Sequence, residues 1–249
     1  MCVSADIRGV ESKLSDVGRL RERGHSAVAG HTLDTARTPS EFLTPVDRGA
    51  TFIGVVAKPT PKRATYADLE ALPPYVVGEI LFGVLYVNPR PAMPHARVAS
   101  KLGAVLDGPF DNGREGPGGW IILDEPELHL GSEPDVLVPD LAGWRQARMP
   151  HVPAAPFTKL APDWVCEILS ASTEASDRGE KMTIYARERV SHAWLVDPAI
   201  RTLEVFRLDG ETWRMLKTWH GNVTVNAEPF DAIALDLAAL WERLPPSTP

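Results

Sequence analysis

Apolar and polar positions fall into a regular pattern only from about residue 65 onward. Thr65 can cap a short helix, because Asp68 then lies in the first turn, where a negative charge is favourable. Residues 76–87 contain two β-prone arms on either side of Gly83, which can supply the turn. The pattern therefore predicts a short helix followed by a β-hairpin.

The rest of the chain alternates between strand-like and helix-like periods. Residues 163–169 are a largely apolar run of strand length, which is typical of a central strand. A helix and a further strand follow this run, an order that permits a right-handed crossover between parallel strands. The other predicted elements are a helix from His95 to Gly108-Pro109, paired strands at 120–123 and 127–130, a third strand at 136–141 in the same sheet, a helix at 178–189, a strand at 193–196, a hairpin of 203–206 with 213–219 and a last amphipathic helix at 235–244.

This order of elements predicts the class of the fold. Strands interleaved with helices indicate an α/β domain built on a mixed β-sheet flanked by helices, with additional β-hairpins. Residues 1–62 end in a breaker-rich stretch and are expected to be poorly ordered, residues 63–244 to form the domain, and residues 245–249 to be a tail.

Composition narrows the functional classes. The net charge of -7 argues against a broad basic surface for nucleic acid, so such a partner would need metal ions or a local basic patch. Two cysteines, Cys2 and Cys166, are too few for a disulfide scaffold or a Cys-rich zinc site, and Cys166 is expected in the core. No apolar run reaches the roughly 18 residues of a membrane span, and no secretion signal is visible, which predicts a cytoplasmic protein.

Two acids interrupt apolar strands. Asp140 follows an apolar stretch that ends in Pro139, and Glu167 lies inside the apolar run at 163–169. A buried carboxylate is costly unless it meets a cation, and Lys181 on the following helix is a candidate partner. If adjacent strands bring both acids together, their oxygens suit Mg²⁺ or Mn²⁺. Such a metal could generate a hydroxide nucleophile and stabilise charge on a phosphodiester, while a lysine orients the water or neutralises the phosphate.

Several motifs in order resemble one family. They are the runs at 138–142 and 165–170 with Ser172-Thr173, then Asp177-Arg178 through Lys181 to Tyr185-Ala186, and finally residues 192–198. Together they resemble the Uma-two family, which belongs to the PD-(D/E)XK restriction-endonuclease-like superfamily. The resemblance extends from about Thr65 to Trp241. It implies a restriction-endonuclease-like fold and a Mg²⁺-dependent or Mn²⁺-dependent endonuclease that hydrolyses DNA.

Carried over by position, the resemblance implies that Asp140 and Glu167 are metal ligands and that Lys181 assists the attacking water. Glu79 matches an early acidic position and completes the catalytic set. The superfamily places its lysine two residues after the second acid, and that position is Leu169 here, so the positive charge must come from the next helix. Asp135 competes with Asp140 for the Pro-Asp role, although the residues after Asp140 fit the family better.

Each candidate also has an ordinary structural explanation. A strand-ending aspartate beside proline is often a turn residue, and a buried glutamate often pairs with a structural Arg or Lys. Lys181 and Asp177 could form a surface ion pair, and Glu79 could be the polar side of an alternating strand. His95 and Arg97 begin a helix and could face a phosphate, but His95 after Pro94 is more often an ordinary first-turn residue, so neither is counted as catalytic.

Two rival functions remain open from the residues: a non-catalytic binding or assembly module that keeps the nuclease fold, and a metal-dependent hydrolase for another phosphate ester. A homodimer is also possible through the C-terminal hairpin, where Trp213 and Trp219 could form a surface, although burial in the core is the more usual role of such rings.

Overall fold

A computed structural model describes residues 62–245 of the chain. The predicted N-terminal segment and tail fall outside these residues, apart from residues 62 and 245, and stay predictions. The helices are α1 (Tyr66–Glu70), α2 (Met93–Leu106), α3 (Glu174–Ser176), α4 (Met182–Arg187) and α5 (Ala238–Trp241). Two π-helical turns, Asp107–Asp111 and Asp177–Lys181, follow α2 and join α3 to α4.

The strands form two larger sheets and one small one. One sheet has the order β2-β1-β5-β4-β7, the second has the order β11-β10-β9-β8-β6-β3, and β12 pairs with β13. Their bounds are β1 (Val76–Leu81), β2 (Val84–Pro89), β3 (Trp120–Asp124), β4 (Glu127–Leu130), β5 (Asp135–Leu137), β6 (Leu141–Arg145), β7 (Phe157–Thr158), β8 (Trp164–Ile168), β9 (His192–Asp197), β10 (Thr202–Asp209), β11 (Thr212–His220), β12 (Thr224–Val225) and β13 (Leu235–Asp236).

Several local predictions agree with the structure. The Asp68 carboxylate accepts the Thr65 N–H at 2.7 Å, so the predicted cap is present at α1. The turn between β1 and β2 has φ of 52° at Phe82 and 79° at Gly83, values that a type I′ hairpin turn requires. Strand β8 is central and parallel to β9, with the intervening helix as the connection. The predicted mixed α/β architecture is confirmed.

The predicted pairing of the strands at 120–123 and 127–130 is wrong. Strand β3 pairs with β6 in the six-stranded sheet, whereas β4 pairs with β5 in the five-stranded sheet. The short link Glu125-Pro126 carries the chain from one sheet to the other. Pro126 cannot adopt the positive φ that a type I′ hairpin turn needs at both central positions.

The predicted third strand at 136–141 is also interrupted. Strand β5 ends at Leu137 and β6 begins at Leu141, so residues 138–140 carry the chain back to the six-stranded sheet. The two crossings meet, because the Glu125 N–H donates to the Asp140 carbonyl at 3.1 Å. Asp140 therefore lies at a crossing between the sheets and not inside a strand.

The helix predicted at 235–244 is replaced by a strand and one helical turn. Leu235 pairs with Val225 across β12 and β13, and the Asp236 carboxylate accepts the Ala238 N–H at 3.0 Å to start α5. Two other helices differ in their bounds. The first does not stop at Gly108-Pro109 but continues as a π-helical turn, and the second begins at Glu174 and contains a π-helical turn.

Two hydrophobic clusters cover the two faces of the six-stranded sheet. One contains Trp164, Trp194 and the buried face of α2, and Cys166 lies in it as predicted. The other lies between the two larger sheets and includes Leu81, Leu137, Val165, Leu195 and Tyr185. We call this second cluster the inter-sheet core.

The two tryptophans proposed for a dimer surface pack against the protein's own hydrophobic clusters. Trp213 packs against the inter-sheet core and donates its indole N–H to the Met182 carbonyl at 2.8 Å, and Trp219 packs against the other cluster. Homodimerisation stays a prediction.

Candidate active site

A small acidic pocket lies at the polar end of the inter-sheet core. Its volume is about 60 Å³, which is enough for an ion with a few waters, because one water needs about 10–15 Å³. Its lining comes from β1, β2, α2, β8, the helical segment after β8 and both sheet crossings, and it includes Glu79, His95, Glu125, Asp140, Glu167, Asp177 and Lys181. We call it the acidic pocket.

Strand register explains why Asp140 and Glu167 meet. In the antiparallel pair of β6 and β8, Leu141 lies opposite Cys166 and Ala142 opposite Val165. Extending this register by one residue places Asp140 opposite Glu167, and opposed residues share one face of a sheet. That face is the inter-sheet face, since Ala142 and Val165 belong to the inter-sheet core.

Both oxygens of Asp140 have a partner. The Ile168 N–H donates to Oδ2 at 2.6 Å, which ties the sheet crossing to the end of β8. The His95 ring nitrogen Nε2 lies 3.2 Å from Oδ1. Burial acts to lower the pKa of His95, but the hydrogen bond and charge of Asp140 outweigh burial and raise it.

Glu167 is held at both oxygens by donors. The Tyr185 hydroxyl donates to Oε1 at 2.5 Å, and the Lys181 ammonium donates to Oε2 at 3.2 Å. Burial raises the pKa of Tyr185 well above its ordinary value, and the Glu167 carboxylate raises it further, so the hydroxyl stays protonated and donates.

Lys181 lies among three carboxylates inside the protein. Its Nζ atom is 3.1 Å from Glu79 Oε1, 3.2 Å from Glu167 Oε2 and 3.1 Å from Asp177 Oδ1. Only 5% of the side chain is exposed, so the interpretation of Lys181 and Asp177 as a surface ion pair is wrong. The π-helical turn that carries both residues is a form often found at functional sites.

Glu79 joins the same cluster from the other sheet. It lies on β1 two residues before Leu81, so both side chains face the inter-sheet core. Its Oε1 accepts the Val138 N–H at 2.8 Å as well as contacting Lys181. The four residues selected from the sequence are thus brought into one pocket.

Asp135, the competitor for the Pro-Asp role, lies elsewhere. Its carboxylate accepts the Phe82 N–H at 2.5 Å and contacts Arg187 at 2.9 Å, beside the turn of the first hairpin. Asp135 therefore braces the hairpin and is not among the residues that line the acidic pocket.

Residues 64–238 match the family model Uma2, which is described as a putative restriction endonuclease. The chain belongs to the Uma2 family. A crystal structure of a putative nuclease belonging to DUF820 from Anabaena variabilis ATCC 29413 has a similar fold, with a TM-score of 0.59 and 21% sequence identity over 72% of this chain and 97% of that one. A likeness at this identity establishes the fold alone. The search of curated proteins found no match.

Charge in the acidic pocket of this Uma2 chain is unevenly balanced. Glu79, Glu125, Asp140, Glu167 and Asp177 supply five carboxylates, while Lys181 supplies one ammonium group. Burial raises the pKa of Glu167 well above its ordinary value, against the opposing effect of Lys181. Burial alone would lower the pKa of Lys181, but the Glu167 and Glu79 carboxylates outweigh it and hold that pKa well above its ordinary value. The ammonium is therefore charged, and negative charge remains in excess.

The donor atoms fit a hard divalent cation. The described residues contain no group of three or more His, Cys, Asp or Glu side chains spaced to hold a metal. Mg²⁺, however, is commonly held by one or two carboxylates and otherwise by waters and substrate phosphates. Asp140 and Glu167 meet this requirement, because a carboxylate offers about four acceptor positions and each uses two in the contacts above.

Three residues of the site were not selected from the sequence. The sequence presents Asp177 only as a helical neighbour of Lys181, His95 as a first-turn residue and Tyr185 as part of a motif. The signal for Asp177 and Tyr185 was their spacing, four residues before and after Lys181, which places all three on one side of a regular helix.

Across residues 62–245, no helix combines the length and the apolar character needed to cross a membrane. The cytoplasmic location stays a prediction.

Proposed function

We propose that this Uma2 family member is a metal-dependent endonuclease that hydrolyses DNA phosphodiester bonds at the acidic pocket. One observation carries the proposal: the register of β6 and β8 sets Asp140 opposite Glu167, in a buried pocket whose negative charge exceeds that of its single lysine. Such an arrangement is expected where a cation binds, because uncompensated buried carboxylates are costly, and a bound cation would in turn attract a phosphate.

Asp140 and Glu167 would hold Mg²⁺ or Mn²⁺. When bound, the ion would lower the pKa of a water molecule and would place positive charge beside the phosphodiester. The residues around the ligands keep them in place. The Ile168 N–H and His95 orient Asp140, and the Tyr185 hydroxyl orients Glu167.

Lys181 is proposed to assist the attacking water. Its ammonium has three hydrogens to donate, and it already spans Glu79, Glu167 and Asp177. A water or phosphate oxygen that enters the pocket would compete for one of these donors. Glu79, fixed by the Val138 N–H, keeps the lysine pointed toward Glu167 and completes the acidic cluster.

A plasmid-nicking assay tests the proposal. We expect wild-type protein to nick supercoiled DNA with Mg²⁺ or Mn²⁺ and to lose this activity with a chelator. Glu167→Ala and Asp140→Asn should reduce nicking by at least about a hundredfold, as loss of electrostatic stabilisation commonly does. Glu211→Gln is the matched control, because that acid is 84% exposed.

Equal nicking by wild type and Glu167→Ala would contradict the assignment of the site. No nicking by either, together with retained DNA binding, would favour the non-catalytic module. Hydrolysis of a different phosphate ester in a substrate panel, with DNA left intact, would favour the second rival.

A further inference from the structure

A mostly apolar groove of about 260 Å³ lies beside the acidic pocket. Strands β8 and β9 are parallel, so the segments that follow them leave the same edge of the sheet. Ligands of α/β proteins commonly bind beyond the carboxyl ends of such strands. The groove is lined by the start of α2, by these two segments and by the end of the domain, including Pro94, Leu169, Pro198, Ala199 and Leu244.

His95 connects the groove to the acidic pocket. It lines both cavities, it is 9% exposed, and its Nε2 atom contacts Asp140. Its other ring nitrogen, Nδ1, is buried and has no hydrogen-bond partner within residues 62–245. A buried polar atom without a partner is uncommon and costs free energy, so His95 is a polar group at the junction of the two cavities that the described part of the chain leaves unsatisfied.

The start of α2 adds a site for negative charge at the rim of the groove. This helix has 14 residues, its cap residue Ala92 has no side-chain oxygen, and its first turn carries no acidic residue. Pro94 has no N–H, and the remaining first-turn N–H groups and the positive end of the helix are not neutralised by an acidic side chain of that turn. Phosphate groups bind readily at such helix ends.

We propose that the groove binds one nucleoside of the substrate strand, next to the phosphate that is cleaved at the acidic pocket. The inference rests on the proposed function. The base or sugar packs on Pro94, Leu169 and Leu244. The phosphate on the other side of this nucleoside, which is not cleaved, lies at the start of α2. His95 marks the boundary between the nucleoside and the scissile phosphate.

The volume of the groove restricts the substrate. Pockets for drug-sized ligands begin near about 300 Å³, so a groove slightly smaller than this accepts one nucleoside and not a base pair. We therefore expect a preference for substrates in which the nucleotide beside the scissile bond is unpaired when it binds. Strand ends, flaps and single-stranded segments meet this condition without the cost of opening a duplex.

Binding of thymidine 5′-monophosphate to the full chain tests the groove without turnover. Titration calorimetry should show binding to wild type and to Glu167→Gln alike, with weaker binding of thymidine and of inorganic phosphate. Ala199→Trp fills the groove from an exposed position and should weaken binding at least about tenfold, or about 1.4 kcal/mol. Ala154→Trp, at an exposed loop position, is the matched control.

The same variants test the groove during cleavage of a labelled oligonucleotide. Ala199→Trp should raise KM for a single strand with little change in kcat. If Ala199→Trp bound the nucleotide as tightly as wild type, or if inorganic phosphate bound as tightly as the nucleotide, the assignment of the groove as a nucleoside site would be contradicted. The endonuclease proposal would be unaffected, because plasmid nicking tests it separately. A different result is also informative: the nucleotide binds wild type, Ala199→Trp weakens this binding, and no variant nicks DNA. That result would contradict the endonuclease proposal and would keep the groove as a nucleotide-binding site.

Discussion

Removing the charge of Lys181 should destabilise the protein strongly at neutral pH. Lys181→Met keeps most of the side-chain length but leaves Glu79, Glu167 and Asp177 without their shared cation. Breaking a buried ion pair from one side costs about 3–5 kcal/mol. For a domain of this size, each kcal/mol lowers the unfolding midpoint by about 2–4 °C, so we expect a fall of about 6–20 °C.

The pH dependence of this loss has a definite sign. Burial already holds the pKa of Glu167 above its ordinary value, and removal of Lys181 takes away the effect that opposes this shift. As pH falls, Glu167 becomes protonated first, because its pKa is raised, and it no longer adds to the repulsion in the pocket. The difference in stability between wild type and Lys181→Met should therefore be largest near pH 8 and should shrink toward pH 5.

Thermal unfolding followed by circular dichroism measures both quantities. Lys159→Met is the control, because Lys159 is exposed and its substitution should change stability by no more than about 0.5 kcal/mol. Added Mg²⁺ should restore part of the stability of Lys181→Met, because the cation would bind among the carboxylates that the substitution leaves without a positive partner. A variant as stable as wild type at pH 8 would refute the description of the pocket as a charged, buried cluster.

Three further substitutions separate stability from activity. Glu167→Gln should abolish nicking, and because burial raises the pKa of Glu167, the stability of the metal-free variant relative to wild type should be greatest near neutral pH and should fall toward pH 4 in urea unfolding. Tyr185→Phe removes a donor to that carboxylate and should lower stability by about 1.5–3 kcal/mol and also weaken metal-dependent nicking. Asp135→Asn should lower stability yet leave nicking per folded molecule unchanged; a folded but inactive variant would return Asp135 to the Pro-Asp role.

Much of the fold is encoded locally and could be predicted from sequence. The cap at Thr65, the positive-φ turn at Gly83 and the apolar run around Cys166 each depend on residues close in the chain. Which strands pair depends on contacts between strands that are far apart in the chain. The link at Glu125-Pro126 resembles a hairpin turn in length, but it crosses between sheets, and this crossing could not be read from local periodicity.

The candidate site also combines features that local sequence predicts with features that depend on distant contacts. Acids that interrupt apolar strands identify Asp140 and Glu167 as unusual, and the family resemblance selects Lys181 and Glu79. The burial of Lys181 depends on the π-helical turn and on β1 packing from the other sheet, neither of which leaves a sequence period. His95 reaches Asp140 because α2 packs against β8, and this contact joins residues 45 positions apart in the chain.

Binding of Mn²⁺, followed by the loss of the electron paramagnetic resonance signal of the free ion, tests the central claim without requiring turnover. We predict one site per chain in wild type, weakened at least about tenfold by Asp140→Asn and by Glu167→Gln, and unchanged in Glu211→Gln. Equal Mn²⁺ affinity in wild type and both site variants would contradict the claim that these two carboxylates jointly hold the metal.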